Sequence, residues 1–79
     1  MSTVTSASAT VVKAVFNGLA SQGAIPLVGL NPGDVLIRCL PDGFQQGFEP
    51  IVSASGQLAQ IANLDWSAVS FTCYFLRGA

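Results

Sequence analysis

The chain has 79 residues, 51% of them hydrophobic, with three basic and four acidic side chains, no histidine and a formal net charge of -1. Ordinary domains carry about 25% charged residues; three cations cannot supply the electrostatic footprint of a nucleic-acid binder, and the lack of histidine with cysteines 34 residues apart excludes a zinc ligand set. The length supports one small domain that buries only about 60% of its unfolded surface, so its marginal core needs a disulfide, a metal or neighbouring subunits.

In chain order, residues 1–9 read as a Ser/Thr/Ala arm, flexible or pairing at a sheet edge, and residues 10–79 as a single β domain. TVVKAVF, residues 10–16, is dense in β-branched side chains and reads as a strand, closed by Asn17-Gly18. Residues 20–24 are loop-like. IPLVGL, residues 25–30, is apolar but contains Pro26, which cannot donate to a ladder, so it reads as an edge strand or extended segment. Residues 14–33 carry no charge and are long enough to span a bilayer. Four glycines, two prolines, Asn17, Ser21, Gln22 and Asn31 within them are turn chemistry that a spanning segment could not satisfy. No membrane insertion is expected, and MSTVTSASA lacks the basic start of a secretion signal.

Pro32-Gly33 suits the centre of a type II turn. It opens a strand over residues 34–40 in which Val35, Ile37 and Cys39 alternate with Leu36, Arg38 and Leu40. Both faces are apolar apart from Arg38, whereas a strand with one wet face alternates apolar with polar. The expectation is that a neighbouring subunit, a loop or the arm covers the second face, which makes Leu36 and Leu40 interface candidates. Pro41-Asp42-Gly43 is a turn, and FQQGFEP, residues 44–50, an irregular loop. Residues 51–54 read as a short strand and Ser55-Gly56 as a turn. QLAQIA, residues 57–62, fits one helical turn or a short strand, and the strand suits its surroundings. Residues 63–67 connect to the last strand, residues 69–76, whose inward face is Val69, Phe71, Cys73 and Phe75. The pattern predicts an all-β domain, a small antiparallel β-sandwich or barrel of about six strands.

Little in this composition carries chemistry. With no histidine, a nucleophile would need Lys13 or an acid as its base, and nothing places Lys13 near a particular serine. The acids Asp34, Asp42, Glu49 and Asp65 are scattered and sit in or beside turns, so neither a carboxylate pair nor a calcium loop emerges. No glycine run has phosphate-loop spacing. The expected protein is not an enzyme and has no metal or other cofactor. Cys39 and Cys73 lie within apolar strands and read as buried thiols, with a disulfide as the alternative. Trp66, beside Asn63 and Asp65, either caps the core or forms a sugar-stacking platform, and the second option leaves a small carbohydrate-binding module as the alternative function. Phe44 and Phe48, in a Gly/Gln-rich loop, either plug the sandwich or dock a partner, and docking is favoured because aromatic rings are enriched at interface cores. Trp66 joins them as an interface candidate.

The stretches VFNGLASQGAIPLVGLNPGDVLIRCL, GQLAQ and LDWSAVSFTCYFLRG, with a GL-x-x-GD turn, a Gly-Gln turn followed by a second Gln, and a final strand closing on Arg77, resemble small all-β virion proteins of tailed bacteriophages. The resemblance covers residues 15–78. It implies a head-decoration (cement) or fibre-type module: a non-enzymatic homo-oligomer, with a trimer favoured. Such a protein is made in the host cytoplasm and then carried on the virion against the major capsid protein or another virion protein. It assigns no individual binding residue. Low charge points the same way, because seven charges do not clothe a free surface of this size.

Overall fold

A computed structural model describes residues 2–78; Met1 and Ala79, the outer limits of the expected arm and domain, lie outside the described residues. Five strands and one turn of 3-10 helix follow in order: β1 (Thr10–Asn17), β2 (Gly23–Pro26), β3 (Val35–Leu40), the 3-10 turn (Gln45–Gly47), β4 (Gln57–Gln60) and β5 (Ser70–Arg77). The all-β architecture is the expected one, with five strands in two antiparallel sheets, ordered β1-β5-β3 and β2-β4. Residues 51–54 form no strand. Ile51 makes a single bridge to Val35, held by Leu36 N–H to Pro50 O (2.9 Å) and Val52 N–H to Asp34 O (2.8 Å). Pro50 has no N–H to extend that ladder. β2 starts earlier than expected and runs to Pro26; Leu27 N–H on Gly56 O at 2.8 Å continues its pairing with β4 by one further pair.

The Asn31–Asp34 turn forms as its residue types dictate, with Asp34 N–H on Asn31 O (3.1 Å) and Gly33 at φ 93°. β5 alternates as expected: Phe71, Cys73 and Phe75 are wholly buried, and Ser70, Thr72, Tyr74 and Leu76 face outward.

β3 departs from simple alternation. Leu36 pairs with Phe75 and Cys39 with Cys73, both inward partners, and the register shifts between Leu36 and Arg38. A bulge at Ile37 supplies the extra residue. Leu36 and Cys39 therefore share the buried face, while Ile37 and Arg38 are exposed. The bulge accounts for Leu36 and Cys39 sharing one face, while Val35 and Leu40 keep the outer face of β3 apolar. The expectation that Leu36 belongs to an outward interface is overturned: it is core. Leu40 does lie on the outer side, half-buried and opposite Thr72.

The core joins both sheets. Phe16, Leu36, Cys39, Phe71, Cys73 and Phe75 come from the three-stranded sheet. Ile25 and Leu58 come from the other, and Leu30, Phe48 and Val52 from connections.

Candidate interaction surfaces

The Phe44–Phe48 loop folds inward. Gly47 N–H on Phe44 O (2.9 Å) and Phe48 N–H on Gln45 O (3.2 Å) make a tight turn that points both rings at the core. Phe48 is 2% exposed, with its ring centroid 5.1 Å from Phe71, 5.8 Å from Phe16 and 5.5 Å from Trp66. Phe44 is half-buried, 5.1 Å from Trp66 and 5.3 Å from Phe71. These spacings are those of favourable edge-on and tilted aromatic pairs. The expected docking role for Phe44 and Phe48 is therefore corrected. Burying each ring is worth about 1.5–3 kcal/mol, and the fold itself provides the cover.

Trp66 is the half-buried outer wall of this cluster. Gly47 lies directly beneath the indole, where any Cβ would overlap the ring, and a Cβ at Gly18 would stand 2.6 Å from the Trp66 Cβ. Both glycines are there for close approach of backbone to side chain. The polar neighbours are engaged, Asn63 across two loops and Asp65 in a local turn. Asn63 Oδ1 accepts from Gln22 N–H (3.4 Å), and Asp65 Oδ1 accepts from the Ser67 N–H (3.1 Å) and hydroxyl (2.6 Å). Those Ser67 bonds hold the Asp65 carboxyl below the usual aspartate range. The geometry makes Trp66 a core cap.

Two polar devices escaped sequence reading. Gln60, buried in β4, lies at the junction of two loops. Its Oε1 accepts from Leu19 N–H (2.7 Å). Its Nε2 faces four carbonyls: Leu19 (3.2 Å), Ser21 (3.4 Å), Ala62 (3.0 Å) and Leu64 (3.1 Å). The only available signal was an amide at an inward position of a short apolar strand. The second device is the pair formed by buried Asp34 and Arg77. Arg77 Nε and Nη2 donate to the two carboxylate oxygens at 3.0 and 2.8 Å, and Nη2 also donates to Gly29 O at 2.7 Å. Arg77 holds the Asp34 carboxyl below its ordinary range against the opposing effect of burial, with help from the Asn31 N–H (2.9 Å). The pair fastens the Gly29–Asp34 turn region to the end of β5.

Cys39 and Cys73 are free thiols facing one another across β3 and β5. Burial pushes both thiols up, so the thiolate that would react or bind metal is scarce. Among the described residues no three His, Cys, Asp or Glu side chains gather into a metal-binding group, and no helix is long and apolar enough to cross a membrane.

Two surfaces among the described residues stand out for contact. The outer face of the three-stranded sheet carries Val11 and Val15, 58% and 63% exposed, with Tyr74, Leu76, Val35 and Leu40. Lys13 and Arg38 both stand opposite Tyr74, one on each neighbouring strand. Arg38 also meets exposed Asp42 at 3.3 Å, a pair that contributes little in water. The second surface is a cleft of about 490 Å³ lined by Leu36, Gln45, Gln46, Phe48, Pro50 and Ile61. It offers apolar walls and two amides and no titratable group, which suits a neutral or apolar side chain.

In comparisons with known proteins, no family model, no curated protein and no solved structure matches this chain.

Proposed function

We propose that the chain is a non-enzymatic structural subunit of a virion, one that self-associates and attaches to a phage capsid or fibre surface. The observation that carries this reading is the outer face of the β1-β5-β3 sheet. It is built largely of Val11, Val15, Val35, Leu40, Tyr74 and Leu76, with Lys13 and Arg38 flanking Tyr74, in a chain with only seven charges. An apolar patch of that kind on a small domain is characteristic of a surface that meets protein. The likeness of residues 15–78 to small all-β virion proteins supports the same assignment. Partners are then further copies of the chain and the major capsid or another virion protein.

Sedimentation of the purified chain at micromolar concentration tests the self-association. A standard-size interface persists at that dilution. A complex larger than the 8.1 kDa chain is expected, and a well-behaved monomer overturns the reading. Attachment is tested by co-sedimenting the chain with particles of its source phage. The chain pellets with intact particles and stays in the supernatant without them.

A further inference from the structure

We infer that two copies of this chain join by exchanging residues 3–9, the arm of each adding as an antiparallel strand to the free edge of β1 in the other. The inference deepens the self-association reading, rests on it, and sets two copies where the resemblance favours three. β1 is the outermost strand of its sheet and pairs only with β5. Gly18 N–H bonds Val69 O at 3.2 Å, which continues the β1–β5 ladder by one pair and sets its phase. In an antiparallel ladder the bonded and unbonded pairs alternate. Phe16, Ala14 and Val12 therefore bond β5, and the N–H and C=O groups of Val11, Lys13, Val15 and Asn17 point away from it. Among the described residues no strand meets them. Such a row of unpaired groups is a template for another strand, and Lys13 is the sole charge guarding it.

The same chain carries an unpaired segment of matching length. Residues 2–9 are exposed throughout, with Val4 98% exposed, and they lead into β1. Eight residues extend about 26 Å, the length of β1 itself. The arm cannot serve its own β1, because that requires a tight hairpin. STVTSASA contains no Gly, Asn or Asp, the residues that two-residue hairpin turns demand. A second copy has no such restriction.

The register follows from three conditions: every outward-pointing group of β1 from Val11 to Asn17 must meet a counterpart, inner faces must match, and the whole arm must lie on the edge. A two-fold axis at Thr10 satisfies all three, pairing Val11 with Ala9, Lys13 with Ala7, Val15 with Thr5 and Asn17 with Thr3 of the other copy. Lys13 then faces alanine. An axis at Lys13 would set two ammonium groups opposite one another, which is destabilising. On the inner side Val4 comes opposite Phe16. Ser6 and Ser8 come opposite Ala14 and Val12, beside the groove of about 330 Å³ between residues 12–15 of β1 and residues 26–30. A reciprocal exchange of this kind is isologous and closes at two copies.

The test compares the full chain with Thr5→Pro and Val4→Glu by sedimentation at micromolar concentration. Both changes lie in the exposed arm, so the domain folds as before, which β-sheet circular dichroism verifies. The full chain is expected to be a dimer. Thr5→Pro removes one edge bond from each copy and should weaken association about thirty-fold, and Val4→Glu should abolish it. In a separate Thr10→Cys variant, mild oxidation should give a covalent dimer, because this register makes Thr10 its own partner. If the full chain assembles and both arm variants assemble equally well, the arm exchange is wrong while self-association stands. If the full chain is a monomer, both fail. An assembling Thr10→Cys variant that does not cross-link overturns the register.

Discussion

Replacing Gln60 by Met isolates the work of one buried amide. Met is unbranched and close to Gln in volume, so packing against Leu58 and its neighbours is nearly conserved and only polar contacts are lost. Nε2 has two hydrogens to share among the carbonyls of Leu19, Ser21, Ala62 and Leu64, so at most two full bonds are donated at once. Oε1 accepts a third from Leu19 N–H at 2.7 Å. Three net hydrogen bonds at about 1 kcal/mol each give a loss of about 3 kcal/mol. A domain of this length has a total stability of about 4–12 kcal/mol, so the effect is large. Urea unfolding followed by fluorescence of Trp66, the sole tryptophan, measures it at one fixed protein concentration. The midpoint should fall with the slope unchanged. A loss under about 1 kcal/mol would refute the reasoning, because it would mean that water satisfies the two loops as well as Gln60 does. Gln60→Glu sharpens the test. At neutral pH it sets a carboxylate against carbonyl oxygens, so it should cost more than Met, and the deficit should shrink as acid protonates the new side chain.

Asp34→Ala should cost about 2–3 kcal/mol, at the low end for a buried pair because Arg77 stays 34% exposed and can rehydrate. The native protein should lose stability in acid through the same pair. The folded carboxyl sits below the ordinary 3.8, so its contribution is complete above that value and is lost as pH falls beneath it; the Asp34→Asn variant should show a flatter acid limb in urea titrations. Phe48→Ala should cost about 3–5 kcal/mol and Phe44→Ala less, with β-sheet circular dichroism collapsing in the double Ser variant; intact folding there would return the loop to a docking role. Gly47→Ala should destabilise and shift Trp66 emission, since the indole must move to admit a Cβ. Cys39 and Cys73 should resist an aromatic disulfide reagent until the chain unfolds, and reductant should leave the urea midpoint unchanged; a loss of about 2–4 kcal/mol in reductant would reveal a bridge.

Local chemistry made much of the fold legible. The alternation of Phe71, Cys73 and Phe75 with Ser70, Thr72 and Tyr74 can be accommodated only by a strand with one buried face, and the structure buries that face completely. Pro32-Gly33 carries its turn in its own dihedral preferences. Thr10 to Phe16 needed only β-branched density. Each of these is decided within a few residues, by sterics and hydrophobic period, and so can be read from the chain alone.

What distant residues supply could not be read there. The bulge at Ile37 turns an apolar-on-both-faces strand into one with Leu36 and Cys39 on the same side, and its cause lies in pairing with Phe75 and Cys73. Gln60 looks like any strand amide until two loops bring five backbone groups to it. Phe44 and Phe48 look like exposed rings until Trp66 and Phe71 arrive to cover them. Asp34 reads as a turn residue, and only the antiparallel return of β5 sets Arg77 against it. Composition determined that this is a small β protein with little charge on its surface. The packing of strands far apart in sequence decided which apolar side chains are core and which are left outside, because burial is a property of the assembled neighbours and a residue's own hydrophobicity does not choose them.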